Sequence, residues 1–354
     1  MDPLDGQRAI AAPRWLRNRR YDLTLIVGAL LLALVLGGVA WAIPGLFFAV
    51  LLADLWLLAY PHVAATYTRI ALLPEDRRRH RYLLLAAPPA VLLGTAGVAW
   101  FGGLIALSSL YFFWQSWHYT RQSFGIARAY GRAGAATRGS GGPRMSTQRL
   151  VDVVVYGFPL WGVLRRAHED PGIFYGAPLW CPPTPALLVD AAAAVALTAL
   201  ALWLLRELWA WRRGDRRRLP QALFVLSHVA ITTVSYLLIA DITRGWLFIN
   251  IWHNAQYLLF VWAANARRFA GPAPATGLAR RISQPGWFAA YALACVAVSA
   301  AFYLALGEVA GLLAWTSLPA LLVLHQTANF HHYVVDAVIW RRPRPRRGAE
   351  AALR

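Results

Sequence analysis

The feature that most constrains this chain is a repeated one: apolar runs of close to 20 residues follow one another from end to end. An α-helix rises 1.5 Å per residue, so about 20 residues cross the roughly 30 Å hydrocarbon core of a bilayer. The pattern predicts an all-α fold, a polytopic membrane helix bundle of about ten transmembrane helices. The predicted spans are 22–43, 45–73, 82–101, 104–130, 148–164, 186–205, 220–240, 245–264, 287–306 and 309–340. The fifth is short and weak. The second and tenth contain Pro61 and Pro319, which predict kinks or breaks. Composition agrees: 58% of residues are hydrophobic, mean hydropathy is +0.45 and only 14% are charged, which excludes an ordinary soluble domain.

The formal charge of +19 does not point to nucleic acid, because the basic residues lie in short clusters between the apolar runs. Clusters at Arg14–Arg20, Arg77–Arg81, Arg128–Arg149, Arg206–Arg218, Arg267–Arg281 and Arg341–Arg354 alternate with poor connectors at Pro44, Phe101–Gly103, Asp241–Arg244 and Gly307–Glu308. That alternation predicts both termini on the cytoplasmic side. The loop 165–185 opens with Arg165 and Arg166, against the rule, and is nevertheless expected outside. The chain divides into a basic cytoplasmic segment 1–21, a single transmembrane domain 22–340 and a basic tail 341–354. All 35 basic residues are arginine, as a GC-rich bacterial genome would give, so a multi-pass protein of a bacterial inner membrane is expected. No small-residue cleavage site follows the first cluster, and the first span reads as a retained anchor. Cys181 and Cys295 form no disulfide framework and no CxxC site.

Of nine histidines, His80 and His168 fall in connectors. The other seven lie inside spans: His62, His118, His228, His253, His325, His331 and His332. Counted from the arginine-rich ends, all but His331 fall at roughly 12–23 Å of depth, given 1.5 Å per residue. Scattered packing histidines have no reason to choose one half of the membrane. Polar stripes accompany them at helical spacing: Tyr111, Gln115, His118 and Gln122; Asn250, His253 and Tyr257; His228, Thr232 and Ser235; His62, Thr66 and Arg69. In the last span His325, Asn329, His332 and Asp336 share a face within roughly 60°, and His331 points elsewhere. Polar groups in hydrocarbon need partners, so these faces should turn inward.

Neutral imidazole is the commonest metal ligand, and facing helices can close a coordination shell with it. The candidate ligands are His62, His118, His253, His325, His332 and Asp336. Candidate supporting or substrate-contacting residues are Gln115, Gln122, Asn250, Tyr257, Asn329, His228 and Arg121. His228 is the weakest of the histidines, and Arg121 could meet an anionic headgroup or snorkel to the surface. Two cysteines and two methionines argue against a soft copper(I) site, and histidine with carboxylate favours iron, with zinc the alternative. Haem is less expected, since nothing sets an axial pair apart. The other readings are a transporter, whose path ionisable residues often mark, and a structural bundle in which the stripes only glue helices.

The histidine clusters near one membrane face resemble those of integral-membrane non-haem iron enzymes, the fatty-acid desaturases and hydroxylases. The spacing of His325 from His331–His332 does not match their HxxxH and HxxHH boxes. A looser similarity, carried by Pro61–His62 and the His118 region, is to bacterial beta-carotene dioxygenases. The resemblance implies an oxygenase acting on a lipophilic molecule that enters from the bilayer. Trp114, Trp117, Trp252 and Phe330 flank the proposed ligands and could line its slot.

Overall fold

The computed structural model describes residues 11–135, 145–269, 277–316 and 318–340. Helix dominates them, and the described strands form one two-stranded antiparallel ribbon, Ile173–Phe174 with Ala177–Pro178. Nine long helical rods follow in chain order: α1 (Arg19–Ala42), α2 (Pro44–Tyr67), α3 (Ala87–Ala135), α4 (Met145–Glu169), α5 (Ala186–Arg212), α6 (Leu219–Leu238), α7 (Ile242–Arg268), α8 (Phe288–Leu312) and α9 (Ala320–Ile339). Six of them, α1, α2, α3, α5, α6 and α8, are long and apolar enough to cross a membrane. They mark a multi-pass membrane protein.

The three remaining rods are the polar ones. α7 is the clearest: Asn250, His253, Asn254, Gln256 and Asn265 are all buried in it, along with most of its apolar residues. A helix enclosed by other helices can carry polar groups on every side if each finds a partner. The apolar rods expose what α7 hides. Phe48 is 71% exposed, Leu187 80% and Leu293 67%, as hydrocarbon-facing side chains should be.

Where the sequence places spans three and four, α3 runs for 49 residues, about 73 Å if straight, too long for one crossing. It breaks at Gly103, with φ 65° and ψ −165°, a left-handed conformation that glycine alone adopts freely. The break falls at the last residue of the expected connector Phe101–Gly103. The weak fifth span becomes a 25-residue helix, α4.

Both prolines fall at or beside a change in the helix, and the bounds of the last span need correction. α9 begins at Ala320, not at 309, because α8 continues to Leu312 and Pro319 sits ahead of the next helix instead of inside it. In α2 the backbone shifts to a π turn over Leu55–Ala59, just before Pro61, which lacks the N–H an unbroken helix would use.

The connectors also group. The N-terminal stretch pairs with the loop after α5, through Ala11 N–H to Gly214 O at 2.9 Å and Arg14 N–H to Arg217 O at 3.1 Å. Asp22 gathers that stretch: its carboxylate accepts from the N–H groups of Leu16, Arg17 and Asn18 and from the Tyr130 hydroxyl. Arg268 at the end of α7 bridges to Asp76 at 2.6 Å. Arginine-rich connectors thus lie together. At the other end, Phe174 of the ribbon packs on Phe112 and Trp246. There Arg166, only 3% exposed, bonds Glu169 and the carbonyls of Ile239 and Ala240. Arg165 pairs with Glu169 as well, so both arginines of this loop are engaged locally.

Candidate metal centre

Three helices bring His62 (α2), His118 (α3) and His332 (α9) together. Each offers one ring nitrogen, and these nitrogens lie within 4.8 Å of one another, all buried. His118 Nε2 and His332 Nε2 stand 3.2 Å apart. Two imidazoles on a shared metal with bonds of 2.0–2.1 Å would have nitrogens about 3.3 Å apart at a tetrahedral angle. The spacing fits that arrangement.

Tautomers follow from the partners. His62 Nδ1 lies 3.2 Å from the Ala59 carbonyl, which can only accept, so Nδ1 carries the proton. His62 Nε2 is then a bare lone pair, buried and without a partner. His332 Nδ1 lies 2.8 Å from Thr66 Oγ1, and Thr66 is 2.7 Å from the Tyr257 hydroxyl. Tyr257 donates to Asp336 Oδ1, so the Thr66 proton goes to Tyr257 and His332 Nδ1 donates to Thr66. His332 Nε2 is thereby left bare as well. Within hydrogen-bond reach the His332 lone pair meets only His118 Nε2, and that of His62 meets nothing, so the three nitrogens form a set that a cation could hold. The chain His332–Thr66–Tyr257–Asp336 is the kind of outer support that fixes a ligating histidine's ring and tautomer.

His253 adjoins this group. Its ring centre is 5.0 Å from those of both His62 and His118, its side chain is fully buried, and neither ring nitrogen has a hydrogen-bond partner. An unsatisfied buried polar group costs about 1–3 kcal/mol, so His253 is held here at a cost that a fourth ligand position would remove. Asp336 stands close, its Oδ2 3.8 Å from His332 Nε2; it accepts from Tyr257, with Thr66 Oγ1 3.4 Å away, instead of pairing with an arginine.

The other candidates lie elsewhere. His325 shares a helix face with His332 but is seven residues, about 10 Å, farther along it. It sits between the rings of Tyr60 and Tyr303 and meets Asn329 at 3.4 Å, so neither His325 nor Asn329 joins the three nitrogens. His228 Nε2 donates to the Val155 carbonyl beside Trp252, away from the group. His331 is satisfied on both sides, by the Tyr67 hydroxyl at 2.6 Å and the Leu83 carbonyl at 2.7 Å. Gln122 reaches the His253 backbone carbonyl at 3.4 Å.

Gln115 and Asn250 do not support the histidines. They belong to a second polar centre around Asp54, a buried carboxylate that the sequence reading missed. Asn250 and Asn254 donate to its two oxygens, Asn250 Oδ1 in turn accepts from Tyr119 and Gln115, and Gln115 donates to Tyr119. Asp54 lies eight residues before His62, which in an α-helix would be about 80° off its face. The π turn between them inserts one residue and brings the two within about 20°. Between the two centres lies a small cavity of about 40 Å³, lined by His62, Asn250, Asn254, His325 and Asn329 among others.

A larger cavity, about 660 Å³, reaches the centre from the side, between α3 and α9. His118 and Asp336 line it, with Trp114, Trp117 and Trp340. Of the aromatics expected to form a slot, Trp114 and Trp117 do. Phe330 stacks behind Trp114 with ring centres 4.8 Å apart, and Trp252 is buried elsewhere, bonded to Ser227.

Fold and cluster together define a helical multi-pass membrane protein with a histidine group able to bind a metal. Comparison with protein-family models, with curated proteins and with solved structures finds no match.

Proposed function

We propose that the chain is a ten-pass protein of a bacterial inner membrane, with both termini cytoplasmic, that works as a non-haem iron oxygenase on a lipophilic substrate. The observation that carries this reading is the convergence of the His62, His118 and His332 nitrogens within 4.8 Å, buried and drawn from three helices. The nine rods among the described residues count as ten crossings when α3 is divided at Gly103. The paired arginine-rich connectors support one cytoplasmic face, and local engagement of Arg165 and Arg166 removes the objection to placing their loop outside.

His62, His118 and His332 would hold the metal, with His253 at the adjoining position. Iron bound there would supply activation of dioxygen for attack on a C–H or C=C bond. The chain's own part is positional. Thr66 and Tyr257 hold the proton of His332 on Nδ1 and turn its other nitrogen to the centre. Tyr333, stacked on His118 at 4.2 Å between ring centres, fixes that ring. The cavity between α3 and α9 admits a lipophilic molecule to the His118 side.

The test is elemental analysis of the detergent-purified protein beside His118→Ala and His332→Ala. Close to one equivalent of iron in the parent, lost in both variants, is the expected result. Less than a tenth of an equivalent of any transition metal, unchanged in the variants, overturns the reading.

A further inference from the structure

The 660 Å³ cavity has a chemistry beyond its apolar walls. Arg121, Arg128 and Arg132 line it, against the single carboxylate of Asp336. At spacings of seven and four residues these arginines lie on one face of α3, and Gly125 occupies the rung between the first two. A Cβ at Gly125 would meet nothing within 4 Å, so the absent side chain leaves the cavity open there. Arg128 is shared with Asp152, at 2.9 Å from its Nε. Arg121 instead bonds the Tyr156 hydroxyl, and its guanidinium lies 5.8 Å from the Trp117 ring and 5.0 Å from that of Phe124. It is a cation supported by a phenol and aromatic faces, one helical turn from His118.

Along α3 the cavity runs from Trp114 to Arg132, about 27 Å of helix axis. It is aromatic at one end and cationic toward the other. Its volume lies within the 300–1,000 Å³ range of small-ligand sites, enough for one hydrocarbon chain with a compact head and small for a two-chain phospholipid.

We infer that this cavity binds a single-chain anionic amphiphile, a fatty acid in its simplest form. Its head lies on the arginine ladder and its tail lies along Trp114 and Trp117, passing His118. That the bound molecule is a substrate rests on the oxygenase reading above; that it binds does not.

The experiment uses the full chain in lipid nanodiscs after treatment with a chelator. The probes are a diazirine-tagged palmitate, the corresponding neutral alcohol and a diazirine-tagged phosphatidylglycerol, with adducts mapped to peptides. Palmitate should label α3 and α9, and unlabelled palmitate but not hexadecanol should compete. Arg121→Gln should weaken labelling at least fivefold and Gly125→Trp, which fills open space, at least tenfold. Equal labelling by the alcohol, no effect of either substitution, or preferential labelling by the phosphatidylglycerol overturns the inference. Because metal is absent throughout, loss of the iron reading leaves this result standing, and failure of labelling leaves the metal analysis untouched.

Discussion

Two polar centres lie inside the bundle, separated by a 40 Å³ cavity, and they differ in how their atoms are used. Around Asp54, both carboxylate oxygens have amide donors, and one of these, Asn250, is held in turn by Tyr119 and Gln115. Around His62, His118 and His332, nitrogens face one another, and His62 Nε2 and both nitrogens of His253 have no partner. Neighbours in sequence differ too: His331 is bonded to a hydroxyl and a carbonyl, while His332 turns Nε2 to the Nε2 of another histidine, His118, at 3.2 Å. Buried polar groups in proteins are nearly always satisfied. The Asp54 carboxylate is paired on both oxygens, as helix packing needs, with Gln115 Oε1 left over; partnerless nitrogens at His62 and His253 are what a cation needs.

That contrast breaks most sharply at the metal. His332→Ala should lower metal affinity by more than 100-fold, beyond the 10–100-fold typical of outer-shell changes. Titration of chelator-stripped protein with Fe(II) or Zn(II) reads it, and unchanged affinity would place both centres in the packing class. Asp54→Ala should do the reverse. It strands the Asn250 and Asn254 amides in the core, at about 1–3 kcal/mol for a lost partner, so thermal unfolding in detergent should show about 2–3 kcal/mol of lost stability with metal content intact. Loss of metal without loss of stability would join Asp54 to the site.

Much of the histidine group was legible because helical periodicity carries it. Depth along the spans and position on the wheel selected His62, His118, His253, His325 and His332 with Asp336; the nitrogens of His62, His118 and His332 lie within 4.8 Å of one another, and the His253 ring adjoins them. Depth alone could not separate His325, which shares the face of His332 but sits two turns away. Asp54 was not legible for a related reason. It reads as one acid in an apolar run, and its alignment with His62 depends on a π turn that no wheel at 100° per residue contains. Gln115 and Asn250 were correctly placed on inward faces and wrongly given to the histidines, since a stripe says which way a side chain points and not which acceptor it finds. The break at Gly103 was visible as a Gly-rich, charge-poor connector, whereas the start of α9 was not, because the apolar run continues past α8 through Leu313, Ala314 and Trp315 without being helical.

Thr66→Val tests the support of the histidine group without touching it. Valine keeps the shape and removes the hydroxyl that accepts from His332 Nδ1 and donates to Tyr257. A 10–100-fold fall in metal affinity is expected, about 1.4–2.7 kcal/mol. Tyr257→Phe should fall in the same direction, since it cuts the same chain one link farther out. Equal affinity in both variants would mean that the relay to Asp336 only packs.

The smallest effect should come from the histidine beside the most important one. His331 donates through Nε2 to the Leu83 carbonyl and accepts through Nδ1 from the Tyr67 hydroxyl. Its replacement by alanine strands a carbonyl and a hydroxyl, a loss of about 1–2 kcal/mol in unfolding, and should leave metal affinity within twofold. Its side chain points away from His118, so no path through the ring reaches the centre. A His331→Ala protein that unfolds normally but loses metal would show that α9 is positioned by this residue. The division between packing and binding histidines would then run through the helix rather than between its side chains.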